Sequence, residues 1–468
     1  MSDLKARLDL QRDAHQAALP EPLELRKDRL RRAIAMVEDH ADRICEALSE
    51  DFGHRSREQS MATDIGGSVG PLKHALKHVD RWARPDRKSV PFPLGLLGAS
   101  ARVDYHAKGV VGIIAPWNFP VNLIMSPLAG VLAAGNRAMV KTSEYTPATA
   151  AVLEDICGTY FSADELVFVS GGPEVGQAFA ALPFDHIIFT GGTGIGRHIL
   201  HAAADNLVPV TLELGGKSPV IVGKGADLTQ TTERVVLGKM LNAGQICLAP
   251  DYMLVRPEDE SAIVEGLTRA ASVMYPTLID NPDYTSVLGD RHLTRLQSWI
   301  EDAQAKGARI EVVNPANEDF RNSNTRKMPL HIVRDVTDNM LVMQEEIFGP
   351  VLPIRTYEGV NDAIGQVNGR GRPLALYYFG SDAGERQRVL DRTLSGGVTL
   401  DDVIFHVSME DLPFGGIGPS GMGAYHGRDG FLTFSHARSV YKQARVDVAK
   451  LAGLKPPYKT PQSKGQKS

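Results

Sequence analysis

Cysteine is scarce in this 468-residue sequence, which contains only Cys45, Cys157 and Cys247. No two of them form a CxxC pair, and none stands near histidines at the spacing of a zinc site. The sequence also lacks HExxH, the ligand pattern of many zinc hydrolases. These absences exclude a disulfide framework, predict no metal site, and suit the reducing cytoplasm.

Long apolar runs and an excess of one charge are missing as well. The chain has 51 basic and 56 acidic residues, interspersed along its length, which predicts no nucleic-acid partner. Charges occupy the region where a signal peptide would have its apolar core, and Pro127 and Arg137 interrupt the most apolar stretch, residues 121–140. We therefore expect no signal peptide and no membrane anchor. The Lys-rich residues 446–468 predict a flexible solvated tail, with weak contact to an anionic membrane as the lesser alternative.

A change of hydrophobic period divides the chain. Residues 4–82 have apolar side chains at helical spacing, whereas five short apolar runs follow from Gly109 onward and alternate with helical segments. The runs are GVVGIIA, RAMVK, LVFVS, HIIFT and VPVTLEL. This alternation predicts βαβ units around a buried parallel sheet, as in nucleotide-binding domains. A second α/β series begins near Lys217.

Two segments at predicted strand ends could bind a nucleotide. FTGGTGIG, residues 189–196, is a glycine-rich turn between a strand and a helix, but Arg197 stands where the strict dinucleotide fingerprint has its third glycine. Lys141 and Glu144 follow another strand and could contact ribose hydroxyls. Taken singly, the turn could be plain connection chemistry and the charged pair an exposed ion pair.

Asn118, Glu213 and Cys247 together supply the groups of thiol-based acyl chemistry. A thiolate attacks a carbonyl, an amide stabilises the oxyanion, and a carboxylate activates a water or the thiol. Each has a purely structural alternative, since cysteine is often buried, asparagine often caps a turn, and Glu213 could lie on a surface turn before its two glycines. Cys45 and Cys157 lie within helical apolar patterns and are interpreted as core residues.

Six motifs occur in one order along nearly the whole chain: PWNFP, FTGGTGIG, LELGGKSP, NAGQIC, QEEIFGP and PFGGIGPSGMGAYHG. In these motifs the sequence resembles the NAD(P)-dependent aldehyde dehydrogenases. The resemblance implies that Cys247 is the nucleophile, Glu213 the general base and Asn118 the oxyanion amide. It implies cofactor contacts for Trp117, Lys141, Glu144, Gly191, Gly192, Thr193, Gly194, Ile195, Gly196, Glu346 and Phe348. Gly192 stands where many relatives have serine, which removes one possible contact to a phosphate.

The resemblance also implies an architecture. We expect an α/β fold with a Rossmann-like cofactor domain (1–87 and 107–216), an α/β catalytic domain (217–415), and a small bridging sheet from segments 88–106 and 416–445. Bridging segments of this kind join subunits, so a homodimer or homotetramer is expected. SGMGAYHG and the residues after it resemble the class 3 branch of the family, and NAGQICLAPDY resembles its bacterial subfamily for coniferyl aldehyde.

Two other functions are compatible with this family. An acylating enzyme would pass the acyl group to coenzyme A, but such enzymes generally lack the glutamate found in LELGG. A catalytically silent structural relative would be expected to lack the nucleophile, whereas Cys247 is present. Glu144 favours NAD over NADP because a carboxylate repels a 2′-phosphate, although Lys141 beside it weakens this argument and leaves NADP possible. We expect an aromatic or medium-chain aldehyde as substrate.

Overall fold

The computed structural model describes residues 2–456 and residue 458, in which sixteen strands and seventeen α-helices alternate. The strands are β1 (Asp86–Lys88), β2 (Ser100–Ala107), β3 (Val110–Ile114), β4 (Arg137–Lys141), β5 (Leu166–Val169), β6 (His186–Gly191), β7 (Val210–Leu214), β8 (Pro219–Val222), β9 (Tyr252–Val255), β10 (Arg309–Val313), β11 (Leu330–Arg334), β12 (Val351–Thr356), β13 (Ala375–Phe379), β14 (Gly397–Leu400), β15 (Gly421–Met422) and β16 (Ser435–Lys442). The helices are α1 (Ser2–Ala17), α2 (Leu23–Glu38), α3 (Ala41–Phe52), α4 (Arg57–Ser60), α5 (Gly67–Trp82), α6 (Asn122–Ala134), α7 (Pro147–Tyr160), α8 (Pro173–Ala180), α9 (Thr193–Ala204), α10 (Leu228–Met240), α11 (Glu260–Met274), α12 (Gly289–Ala305), α13 (Leu341–Gln344), α14 (Val360–Asn368), α15 (Ala383–Arg392), α16 (Gly427–Thr433) and α17 (Val448–Leu451).

The first sheet has six strands in the order β15-β7-β6-β3-β4-β5. All five apolar runs of the predicted βαβ series form its parallel strands, so that prediction is confirmed. The chain order runs from β3 outward through β4 and β5, and then resumes on the other side of β3 with β6. This reversal makes a crevice at the carboxyl ends of β3 and β6, which is where open α/β sheets bind ligands.

The second sheet has seven strands in the order β10-β11-β12-β9-β8-β13-β14, and β8, the first of them along the chain, begins just after Lys217. Only β10 runs antiparallel to its neighbour. One apolar core contains side chains of both sheets, among them Ile113 and Val222, and is continuous with the N-terminal helices through Leu30. Because each fully buried aliphatic side chain stabilises by about 1.5–3 kcal/mol, this shared core holds the two sheets in a fixed relation.

The third sheet is antiparallel, with the order β1-β2-β16. The bridging sheet was expected from segments 88–106 and 416–445; β2 and β16 fall almost entirely within them, whereas β1 begins at Asp86, before the first segment. Residues 90–98 form an exposed loop, where Pro91 and Pro93 lack the N–H groups that a ladder needs. Residues 421–422 were assigned to the bridging segment, but they form β15, which pairs with β7 of the first sheet.

The predicted tail lies partly inside the described residues. Helix α17 begins after Asp447, whose carboxylate accepts from the Lys450 N–H, whereas residues 457 and 459–468 lie outside the described part of the chain. Among the helices that the structure describes, none is both long and apolar enough to cross a membrane.

Candidate active site

A cavity of about 1360 Å³ opens at the carboxyl edge of the first sheet and extends between the two sheets. Every site residue predicted from the sequence lines it except Thr193, Gly194 and Gly196, which lie in the first turn of α9 directly beside it. The loops after β3, β4, β6 and β7 and the loop after α10 converge on this cavity because the parallel strands of the first sheet end at the same edge.

Cys247 lies in the loop between α10 and β9 and is partly exposed to the cavity. The turn before it is unusual, since Asn242 and Ala243 both have φ of 52° and Gly244 has φ of 73°. Burial raises the pKa of the Cys247 thiol to about 12, with added repulsion from the carboxylates of Glu346 and Glu213. The backbone N–H groups of Cys247 and Leu248 act in the opposite direction and stabilise negative charge at the sulfur. The raised pKa favours the protonated thiol, and a positive charge near the sulfur would favour the thiolate.

Glu213 lies within β7, opposite Gly421 of β15, and its side chain is buried. Neither carboxylate oxygen has a hydrogen-bond partner within the described residues. Burial raises the pKa of this carboxyl well above its ordinary value. A buried carboxyl without partners is costly for folding, and a raised pKa suits a group that takes up a proton near neutral pH.

Asn118 follows β3 and is held from several sides. Its Nδ2 donates to the Gln245 carbonyl (3.1 Å), while its own carbonyl accepts from Asn242 Nδ2 (3.1 Å) and Arg55 Nη1 (3.2 Å). A second Nδ2 hydrogen remains to donate elsewhere. Asn118 and Cys247 both line the cavity, so an amide donor and the thiol face the same space.

The glycine-rich turn after β6 fits the pyrophosphate of a dinucleotide. A Cβ on Gly192 or Gly194 would meet no atom of the described chain within 4 Å, so both positions leave open space beside the start of α9. Gly196 serves a different purpose, because a Cβ there would approach Leu214 Cδ2 at 2.7 Å and separate α9 from β7. The turn thus combines an accessible backbone with close packing of helix on sheet.

Lys141 and Glu144 lie at the end of β4, as predicted. The Lys141 side chain is buried and its Nζ donates to the Thr142 carbonyl (2.7 Å), whereas Glu144 is exposed. Lys141 Nζ and Glu144 Oε2 are 3.9 Å apart. The two side chains flank the same end of the cavity and could both contact hydroxyl groups.

Glu346 and Phe348 reach the cavity from the loop before β12. Burial, followed by the charge of Asp251, raises the pKa of Glu346 to about 8. Its carboxylate packs on Gly215, where a Cβ would stand 1.9 Å from Oε2. Phe348 has φ of 50°, and its ring meets that of Trp117 edge to face at 5.1 Å. Two residues predicted from separate motifs are thereby brought into contact.

Several residues of the site were not identified from the sequence. His292 lines the cavity, and its ring centroid lies 4.8 Å from that of Trp117. Further apolar side chains line the same cavity: Phe119, Leu123, Leu241, Ile404 and Phe405. Phe119 belongs to the motif PWNFP, but no local motif distinguishes the other positions, because apolar residues in loops and helices are common and only the fold directs them to one space.

Comparison with known proteins identifies the family of the chain. A profile described as "Aldehyde dehydrogenase family" matches residues 3–440. The chain is 53% identical to "Coniferyl aldehyde dehydrogenase" of Pseudomonas sp. (strain HR199 / DSM 7063), covering 97% of this chain and 94% of that protein. It is 54% identical to a Caulobacter vibrioides protein named "Probable coniferyl aldehyde dehydrogenase", covering 96% and 93%.

Solved structures give the same result. The substrate-bound state of Staphylococcus aureus AldH superposes with a TM-score of 0.88 at 35% identity and covers 94% of each chain. Betaine aldehyde dehydrogenase from Staphylococcus aureus, in complex with NAD⁺, superposes with a TM-score of 0.84 at 25% identity over 95% of this chain and 88% of that one. The fold and family expected from the six motifs are confirmed: the chain belongs to the aldehyde dehydrogenase family, the NAD(P)-dependent oxidoreductases that act on aldehydes.

Proposed function

We propose that this enzyme oxidises an aromatic aldehyde, with coniferyl aldehyde as the leading candidate, to the carboxylic acid with NAD, and that Cys247 is the nucleophile. The observation that carries the proposal is the convergence of Cys247, Asn118 and Glu213 on one cavity that also contains the glycine-rich turn after β6. The similarity to coniferyl aldehyde dehydrogenases at 53% identity supports the substrate.

In the first step the Cys247 thiolate adds to the aldehyde carbon and forms a thiohemiacetal. The Asn118 amide and the Cys247 N–H donate to the oxygen, whose negative charge develops during the addition; loss of one such donor typically lowers the rate by about 10²–10³-fold. When bound, NAD supplies the hydride acceptor that converts the thiohemiacetal to a thioester. Gly192 and Gly194 leave room for its pyrophosphate, and the side chains of Lys141 and Glu144 are available to its ribose.

In the last step Glu213 removes a proton from water while the water oxygen attacks the carbonyl carbon of the Cys247 thioester; the C–S bond then breaks, which releases the carboxylic acid and returns Cys247 as the thiolate. A carboxylate without partners in the described structure and with a raised pKa is suited to accept that proton. This argues for hydrolysis over transfer to coenzyme A. It also argues against a silent structural role, because a buried unpaired carboxyl destabilises the fold and has no evident use there except catalysis.

The cavity wall supports an aromatic substrate. Its apolar lining includes Phe119 and Phe405, and Asn122 and Thr63 add polar atoms, with Asn122 Nδ2 donating to the Thr63 carbonyl (2.9 Å). The apolar side chains suit an aryl ring, and the polar atoms suit a ring hydroxyl.

The test is a set of kcat/KM values for coniferyl aldehyde, cinnamaldehyde, benzaldehyde and linear aldehydes with NAD and with NADP. We expect the highest value for coniferyl aldehyde with NAD. A clear preference for short linear aldehydes would refute the aromatic assignment.

We further propose that the enzyme acts in the cytoplasm as a homodimer, alone or paired into a tetramer. The eight-residue strand β16 pairs with β2 along one edge, and no strand of the described chain covers its other edge. An exposed strand edge of this length favours pairing with another subunit. Light scattering on the purified protein is expected to give the mass of a dimer or tetramer, and a monomer at micromolar concentration would contradict this assignment.

A further inference from the structure

The side chain of Gln59 is hydrogen-bonded to the turn that precedes Cys247, the proposed nucleophile. Gln59 is buried in α4, in the N-terminal part of the chain. Its Oε1 accepts from the Asn242 N–H (3.0 Å), and its Nε2 donates to Asn242 Oδ1 (3.1 Å). Thr285 Oγ1 also donates to Gln59 Oε1 (3.1 Å). One carboxamide therefore binds both the backbone and the side chain of Asn242.

The turn to which Gln59 is hydrogen-bonded has an unfavourable backbone conformation. Asn242 (φ 52°, ψ 30°) and Ala243 (φ 52°, ψ 35°) are both left-handed, a conformation that is unfavourable for most residues with a side chain. Gln245 closes the same turn, since its Nε2 donates to the Asn242 carbonyl (2.8 Å). The conformation that leads into Cys247 thus depends on side chains that hold it.

The same network continues to the oxyanion amide. Asn242 Nδ2 donates to the Asn118 carbonyl (3.1 Å), and Asn118 Nδ2 donates to the Gln245 carbonyl (3.1 Å). Asn242 therefore lies between Gln59 on one side and Asn118 on the other. A shift of Asn242 would move the Cys247 loop and the Asn118 amide relative to each other.

The segment around Gln59 holds Asn118 by a second route. Arg55 and Asp64 form a fully buried ion pair (2.6 Å), and Arg55 Nη1 donates to the Asn118 carbonyl. Asp64 Oδ1 accepts from the Val121 N–H (3.2 Å) just after Asn118. Between Gln59 and α5 the chain forms a π-helix over Met61–Gly66, a form that occurs frequently at functional sites.

We propose that Gln59 is a positioning residue that sets the Cys247 thiol against the Asn118 amide. This rests on the proposed roles of Cys247 and Asn118. Reacting groups must be held within fractions of an ångström, and a displacement of 1 Å can lower a rate by about 10²-fold. Gln59 does not line the cavity, and its side chain acts on the proposed reacting groups chiefly through Asn242.

The test compares Gln59→Met with Gln11→Met. Gln11 is a matched control, because it is also buried and donates from Nε2 to the carbonyls of Ala138 (3.0 Å) and Ala163 (3.0 Å), away from the cavity. We expect Gln59→Met to lower the rate of the first NADH burst by about 10²-fold with KM for NAD within about twofold. Gln11→Met is expected to keep the wild-type burst while losing similar thermal stability.

A double-mutant cycle separates positioning from general destabilisation. In the Asn118→Ala background, Gln59→Met should lower the rate of the NADH burst by less than about threefold, because the amide that Gln59 positions is gone. Equal losses in both backgrounds, or a Gln59→Met burst equal to that of Gln11→Met, would overturn the proposal. If Gln59→Met does not fold, Gln59→Glu carries the same cycle, since it keeps the acceptor for the Asn242 N–H and loses the donor to Oδ1.

The control for the underlying mechanism is Cys247→Ser. If that variant keeps its activity, the proposed mechanism fails, and the positioning role fails with it. If Cys247→Ser is inactive and the cycle is additive, the mechanism stands and only the role of Gln59 is refuted.

Discussion

Replacing Glu213 by glutamine separates the two halves of the proposed reaction. The amide has the shape of the carboxyl group, and the native carboxyl oxygens have no hydrogen-bond partner to lose within the described structure. Water attack on the thioester loses its general base, a contribution of about 10²–10⁴-fold, or roughly 3–5 kcal/mol of barrier. Addition of the thiolate and formation of NADH do not need Glu213 if its role is confined to water.

The assay is stopped-flow absorbance of NADH with coniferyl aldehyde. We expect one equivalent of NADH per active site at nearly the wild-type rate, followed by turnover slowed by about 10²–10⁴-fold. Loss of the burst itself would assign Glu213 to activation of the thiol. An unchanged steady-state rate would remove Glu213 from the role of base and refute the reasoning.

The pH dependence of unfolding provides an independent check on the same variant. Burial raises the pKa of Glu213, so this carboxyl ionises at a lower pH in the unfolded chain than in the folded protein. Its contribution to stability is fully present below the ordinary glutamate pKa of about 4.3 and is lost as pH rises through the folded pKa. The side chain of Glu213→Gln cannot ionise, so the midpoint temperature of thermal unfolding of this variant should rise relative to that of wild type between pH 5 and pH 8.

Glu410→Gln is the matched control for activity, because burial also raises the pKa of Glu410, to about 7, and the residue does not line the cavity.

Three further predictions concern single side chains of the site. Asn118→Ala should lower kcat by about 10²–10³-fold while KM for NAD stays near wild type, and an effect on NAD binding alone would contradict its oxyanion role. Glu144→Gln should raise kcat/KM for NADP relative to NAD, since it removes the charge that repels a 2′-phosphate; an unchanged ratio would place the selectivity elsewhere. Because the pKa of its thiol is raised to about 12, Cys247 of the free enzyme should react with iodoacetamide about tenfold faster for each pH unit between 7 and 10. The rate is measured by mass spectrometry of the Cys247 peptide, and a rate that stops rising near pH 8 would refute that pKa.

The sequence predicted the first sheet well because its strands are short apolar runs between clear turn signals, and all five were found. The motif residues Asn118 and Glu213 were predicted at the edge of that sheet for the same reason, since a strand ends where its apolar run ends. Strand β15 was not anticipated, because its two residues carry no periodic pattern and pair with β7 only through the fold. Loop 90–98 was expected to contribute to a strand, although its prolines argue against pairing.

The contacts that fix the reactive groups were beyond sequence reasoning for a different reason. Gln59 and Asn242 meet across 183 positions, and a buried glutamine looks in sequence like any polar residue of an amphipathic helix. Nor does the motif NAGQIC reveal that Asn242 and Ala243 are left-handed, since neither is a glycine. Local patterns specify elements and their ends, whereas positions within a site depend on contacts between distant segments.

Three acids with raised pKa values line this cavity: Cys247, Glu213 and Glu346. Burial raises the pKa of Cys247 to about 12 and that of Glu346 to about 8, and raises that of Glu213 as well, and the carboxylates of Glu346 and Glu213 further oppose ionisation of the Cys247 thiol. A cation brought into the cavity favours the charged form of all three. The oxidised nicotinamide ring is such a cation, and its reduced form is not. For the mechanism proposed above, the raised pKa of the Cys247 thiol therefore predicts that its activation would depend on the oxidised cofactor.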